Sequence, residues 1–142
     1  IVKEKLEDLL NIKVTENFAN LKDEALIGNK INTNKLLSET IIETEKISLY
    51  LNIINQRLNR LCEVKEEQED KIEVKINSLK PPIFWKDKPN FLLLAKKWTL
   101  EKIKKIQQKT YNLELKIKSN SSIDKKLLMK HLIIEICQTA NA

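Results

Sequence analysis

Ile47-Ser48-Leu49-Tyr50-Leu51-Asn52-Ile53-Ile54-Asn55-Gln56-Arg57-Leu58-Asn59-Arg60-Leu61-Cys62 is the stretch whose reading decides the fold. Ile47, Tyr50, Leu51, Ile54, Leu58, Leu61 and Cys62 recur at the spacing that gathers side chains on one broad face of a helix. The pattern persists for about five turns. Thr44 precedes it as a candidate N-cap, its hydroxyl able to accept an amide of the first turn.

Helical signals continue on both sides. Upstream, Leu6, Leu9 and Leu10 read as the end of a helix that Asn11 closes. From Thr15 a second helix carries Phe18, Leu21 and Ala25 at i, i+3 and i+7, and Gly28-Asn29 supplies a left-handed stop. Asn32 or Thr33 can cap the next, with Leu36, Leu37, Ile41 and Ile42 as its apolar residues. Downstream, Glu63, Glu66, Glu67, Glu69 and Asp70 lead into a segment without an apolar face, read as a loop. Ile72-Val74-Ile76 alternates like a strand, but its Lys/Glu background and helical neighbours favour a short helix over 72–79.

Pro81 and Pro82 end that element, since each lacks an N–H and confines the residue before it to extended geometry. Pro89 or Asn90 starts a helix through Lys97 that presents Phe91, Leu94 and Ala95. Thr99 caps the following one, with Leu100, Ile103, Ile106, Leu113 and Ile117 as core positions beside a stripe of Lys102, Lys105, Lys109 and Lys116. After Asn120-Ser121-Ser122 a final helix spans about 123–138 and is apolar around much of its circumference. The expected class is all-α, a bundle of about five to seven helices.

Composition agrees. A chain of 142 residues is one ordinary domain, or one domain with a remnant, and can bury roughly two thirds of its unfolded surface. One glycine and three prolines are too few for the repeated turns of a sheet protein. Ile1 stands where Met would begin a complete chain, so the sequence reads as a piece of something longer or as a processed product. A net charge of +6 points toward an anionic partner, yet Arg57 and Arg60 are the only arginines and the wealth of Lys, Asn and Ile matches AT-rich codon usage. Cys62 and Cys137 form no disulfide framework or metal-ligand spacing and read as small buried hydrophobes. Apolar runs such as Leu132-Ile133-Ile134 are too short to span a membrane, and no signal peptide opens the chain, so a cytoplasmic protein is expected.

Catalytic chemistry finds little support. His131 is the only histidine and has Lys130 and Glu135 as helical neighbours. Ser122, Asp124 and His131 can be written as a triad, but without the strand–turn scaffold or oxyanion loop that such a triad needs. A single glycine excludes a phosphate-binding glycine loop. No cofactor and no metal is expected, because the acidic stretch lacks the glycine and alternating ligands of a calcium loop.

Binding signals are stronger. Pro81-Pro82 would hold Phe84 and Trp85 at a corner, where an exposed ring could stack on a nucleobase while Lys86 and Lys88 contact phosphate. The alternative is that Ile83 and one aromatic plug the bundle end. Trp98, just before a cap threonine, reads as a staple or core residue. On the last helix Leu127, Met129, Ile133 and Ile136 spread beyond a single stripe, which marks them as subunit-interface candidates.

Taken in order, Lys80-Pro81-Pro82-Ile83-Phe84-Trp85, then Trp98-Thr99-Leu100-Glu101 thirteen residues after Trp85, then Glu114-Leu115-Lys116-Ile117-Lys118, resemble the C-terminal half of the delta subunit of the bacterial DNA polymerase III clamp loader. The likeness extends back through Phe18-Ala19-Asn20-Leu21, Ala25-Leu26-Ile27-Gly28-Asn29 and Arg57-Leu58-Asn59-Arg60-Leu61. Where many members carry Gly before the long helix, this chain reads Glu43-Thr44-Glu45.

The resemblance implies that residues 1–14 end a helical lid domain and 15–142 form the C-terminal collar domain. It implies a non-catalytic role: collar assembly with the gamma/tau ATPase subunits and delta-prime, so that the sliding clamp, gripped by a part missing from this sequence, is opened and loaded on primer-template DNA. It also implies that an aromatic at the proline corner faces the DNA path. A free-standing basic helical module that binds nucleic acid or protein is the alternative, and it would use the lysine stripe.

Overall fold

The computed structural model describes residues 16–66, 76–77, 79, 82–83, 85–119 and 122–142. Expectations for 1–14, for the acidic loop beyond Glu66 and for most of the 72–79 segment lie outside these residues. The described residues include six α-helices of ten residues or more and one short 3-10 turn, with no strand among them, in keeping with the helical periodicities. No helix is long and apolar enough to cross a membrane among those residues.

Helix α1 (residues 16–27) buries Phe18, Leu21, Ala25 and Leu26 completely. It stops at Gly28, whose φ of +86 is the left-handed conformation that an L side chain resists. The turned-back amides close the end: Gly28 N–H donates to the carbonyls of Ala25 at 3.0 Å and Glu24 at 3.1 Å, and Asn29 N–H to Glu24 at 3.1 Å. Helix α2 (Lys30–Glu39) begins at once, so Asn29 rather than Asn32 or Thr33 is its N-cap, accepting from Asn32 N–H at 3.1 Å. Thr33 is buried within the first turn instead.

The break before the long helix falls where expected, but Thr44 does not cap it. Thr44–Lys46 forms a 3-10 turn and α3 runs Ile47–Glu66. The Tyr50 hydroxyl takes the loose Glu43 amide at 3.2 Å, while its ring stacks on Phe18 with centroids 4.3 Å apart. Aromatic stacking adds about 0.5–1.5 kcal/mol to what burial alone supplies. Every apolar position of the deciding stripe is buried except Cys62, which is half-buried at its edge.

Helix α4 (Lys88–Lys97) opens on Pro89, where a missing N–H costs nothing, and buries Phe91, Leu94 and Ala95. Thr99 Oγ1 accepts from Lys102 N–H at 3.2 Å and so caps α5 (Leu100–Ser119) as its sequence predicts. Helix α6 (Lys125–Ala140) is capped by Asp124, which accepts from Leu127 N–H at 3.1 Å. The long helices α3 and α5 form the main seam, α4 covers α3, and α6 lies against both α5 and α2. Two polar clasps hold the seam in register: Asn55 Nδ2 donates to Glu114 Oε1 and Gln107 Nε2 to Asn59 Oδ1, each at 2.9 Å. Glu114 therefore reaches across to α3 rather than along its own helix to Lys118.

Helix α6 corrects the interface expectation. Met129, Ile133 and Ile136 are fully buried in the chain's own core, together with Leu132, Cys137 and Ala140. Positions 129, 133, 136 and 140 follow i, i+4, i+7 and i+11, so one bundle hides them, while Leu127 lies off that stripe. Only Leu127 of the four candidates faces outward, at 64% exposure.

Three side chains from distant parts of the chain meet at the end of α1. Trp98 Nε1 donates to the Leu26 carbonyl at 2.8 Å, Lys97 Nζ donates to the Ile27 carbonyl, and Asn141 Nδ2 donates to the Gly28 carbonyl at 2.8 Å. A Cβ at position 28 would lie 2.7 Å from Asn141 Oδ1. Trp98 is fully buried, so its loss leaves the Leu26 carbonyl without a donor and without water. Trp98→Phe is expected to cost about 1–3 kcal/mol in urea unfolding, against a smaller loss if the ring contributed area alone.

Candidate functional site

The proline corner presents one aromatic to solvent. Pro82 is exposed, Ile83 is half-buried against the core, and Trp85 follows in a turn over 85–87 at 68% exposure. Phe84 and Pro81 lie outside the described residues. Trp85 is thus no core plug, whereas Ile83 serves that purpose. Lys86 places its ammonium 5.4 Å from the Trp85 ring centroid, within the range of a cation–π contact. Lys88 donates to Asn77 Oδ1 at 3.2 Å and ties the corner to the preceding helical residues.

Between these groups lies a cavity of about 370 Å3, lined by Ile76, Asn77, Trp85, Lys88, Pro89 and Leu92. An indole wall, an aliphatic floor and a lysine at the rim suit a flat apolar ring that carries a negative charge nearby. Of the four DNA-contact candidates, Trp85, Lys86 and Lys88 are therefore gathered at one corner by the geometry of the turn. Trp98, by contrast, is structural, its indole spent on the end of α1.

Asp124 is occupied as the α6 N-cap. His131 is exposed and points its Nε2 at Glu135 Oε1 at 2.6 Å, while Lys109 Nζ takes Glu135 Oε2 at 2.6 Å. These three groups form a surface charge cluster beside a shallow cavity between α5 and α6. No group of three or more potential metal ligands occurs among the described residues.

A second basic centre adjoins the corner and was not recognised in the sequence. Lys22 of α1 is only 5% exposed, and with Arg57 and Arg60 of α3 it lines a cavity of about 200 Å3 that Pro82, Ile83 and Asp87 border. Burial drives the Lys22 ammonium below its ordinary value of 10.5; Asp23 opposes the shift, Arg57 adds to it and Asp87 weakly opposes it. Lys22 Nζ lies 3.3 Å from Asp23 Oδ1, an ion pair that offsets part of the burial cost. Arg57 holds its guanidinium 5.4 Å from the Phe91 ring centroid. The sequence signal was present in the spacing of the only two arginines, one helical turn apart.

No protein-family profile, curated protein or solved structure matches the chain.

The lowered Lys22 value has a testable sign. A lysine whose folded value lies below its unfolded one binds fewer protons when folded, so stability rises as pH increases through the window between that depressed value and 10.5. The charged, buried form is a standing cost at lower pH. Lys22→Met keeps the stem and removes the ammonium. Its stability advantage over the parent is expected to shrink as pH climbs through that window, read from paired denaturation midpoints; a constant difference would mean Lys22 titrates normally.

Proposed function

We propose that this chain is the collar-domain part of a bacterial replicative clamp-loader subunit of the DNA polymerase III delta type, a non-catalytic module that assembles with ATPase subunits and offers an aromatic corner to primer-template DNA. The observation that carries the reading is the coincidence of motif order with exposure. The proline-aromatic segment that resembles the delta family is also where the fold leaves Trp85 exposed with Lys86 on its ring. An exposed indole beside lysines offers a stacking face and a cation to a nucleic-acid strand.

Assembly is supported by apolar residues that the bundle leaves outside. Tyr111 and Leu115 on α5 and Leu127 on α6 are 56%, 49% and 64% exposed. These replace Met129, Ile133 and Ile136 as the residues available to a neighbouring subunit. The lysine stripe of α5 supports the alternative nucleic-acid module less well. Lys102 Nζ donates to the Ala142 carbonyl at 2.6 Å and Lys109 pairs with Glu135, so two of its four charges serve the fold.

Co-expression with gamma/tau and delta-prime tests the assignment. The chain is expected to co-purify with them, and Leu127→Asp to abolish that while shifting unfolding by less than about 0.5 kcal/mol, as an exposed site allows. Trp85→Ala in the assembled loader is expected to weaken primer-template binding by about 1–3 kcal/mol, the contribution of one stacked base, and to leave assembly intact. Failure of the unsubstituted chain to join the ATPase subunits would remove the assignment.

A further inference from the structure

The cavity between α5 and α6 brings together an apolar floor and a rim whose charges do not balance. It measures about 220 Å3, below the roughly 300 Å3 at which pockets for whole small molecules begin, and so suits a side chain of a larger partner. Its floor is aliphatic: Leu113 and Leu132, nearly buried in the core, and Leu128, half-buried beside them. Leu127, one helical turn before His131 and 64% exposed, adds apolar surface alongside.

Glu135 is the only carboxylate among the described lining residues, and both of its oxygens are taken. Oε1 meets His131 Nε2 and Oε2 meets Lys109 Nζ, each at 2.6 Å. Lys116, the second lysine of the rim, is exposed and has no carboxylate in ion-pair range among the described residues. A surface lysine alone commits to nothing. This one shares its cavity with the leucine floor and with Asn112, whose Oδ1 accepts from Gln108 Nε2 at 3.0 Å while its Nδ2 has no acceptor among the described residues. An amide donor, an apolar floor and a spare cation match the main-chain carbonyl, the aliphatic side chain and the carboxylate of an acidic peptide.

A nucleic-acid strand matches the same groups poorly. Among the described residues no aromatic lines the cavity to stack a base, no arginine offers phosphate a bidentate fork, and the Glu135 carboxylate stands in the wall. We infer that this groove docks a segment of a partner protein in which acidic residues adjoin leucine-sized ones, with an aliphatic side chain on Leu128, a carboxylate on Lys116 and a backbone carbonyl on Asn112. Glu135, by holding both Lys109 and His131, sets that wall before the segment arrives, which lowers the cost of ordering it. The groove stands apart from the clamp-loader reading, because peptides test it without any ATPase subunit; failure here and failure of co-purification are separate results.

The full 142-residue chain is titrated with a capped peptide, acetyl-Ser-Leu-Glu-Glu-Leu-Ser-amide, and followed by amide chemical shifts. Saturable shifts are expected in the α5 and α6 residues around the cavity. Glutamines in place of the peptide's glutamates, or alanines in place of its leucines, are expected to weaken binding about twofold or more. Lys116→Gln, at an exposed position that folding does not need, is expected to weaken it about two- to fivefold, the range of one exposed ion pair. Lys104→Gln, exposed on α5 but not lining the cavity, is the control and should change little.

A short oligothymidylate is the second probe. Shifts at these amides with the oligothymidylate but not with the acidic peptide would overturn the inference in favour of a phosphate backbone. It is equally overturned if neither probe binds, if the glutamine peptide binds as tightly as the acidic one, or if Lys104→Gln costs as much affinity as Lys116→Gln.

Discussion

The end of α1 is the constraint on which the rest of this bundle depends. A helix terminus leaves carbonyls without partners, and where one is buried, as at Leu26, water cannot satisfy it. Here the carbonyls of Leu26, Ile27 and Gly28 are taken by Trp98, Lys97 and Asn141, from the end of α4 and the end of α6. Two helices are thereby registered against a third by direct bonds rather than by apolar contact, which is non-directional. Lys97 adds a favourable charge at the negative end of the helix dipole. The glycine matters for the same reason: its left-handed turn aims the last carbonyls outward, and its missing Cβ leaves room for the Asn141 amide.

Most of the fold was legible because its signals are local. The stripe from Ile47 to Leu61, the proline at the start of α4 and the Thr99 cap each depend on residues within one or two turns of each other. Two caps were misplaced by a few residues for an equally local reason. Asn29 and Asn32 are both capping residues, and which one acts depends on how soon the chain re-enters a helix after Gly28. The role of Trp98 shows the limit. Its burial was readable beside Thr99, but its partner Leu26 lies 72 residues away and leaves no mark in local pattern.

Three of the four candidate interface residues on α6 are buried, and Leu127 alone stays outside, for a geometric reason that is general to apolar helices. A list of apolar residues measures how much of a helix is hydrophobic, while exposure depends on how many neighbours surround it. With α5 and α2 both against it, α6 can hide a stripe broad enough to hold Leu132, Ile133, Ile136 and Cys137. The outward residues that remain, Leu127 and Ile134, lie off that stripe. Counting apolar residues overstated the surface because the number of packing partners was unknown.

Charge behaved in the opposite way. The net excess of +6 invited attention to the many lysines, yet the lysine stripe of α5 is partly consumed by the fold, at Lys102 and Lys109. The two arginines, easily discounted as rare in this chain, stand together with a buried lysine at one cavity beside the exposed indole. A flexible surface lysine is satisfied by water and so carries no commitment to a partner. A cation that the fold has withdrawn from water, as Lys22 is, has a cost that the folded chain bears and that the Asp23 carboxylate at 3.3 Å offsets only in part. The position of the positive charge, more than its amount, is what distinguishes this end of the bundle from the lysine-rich face of α5.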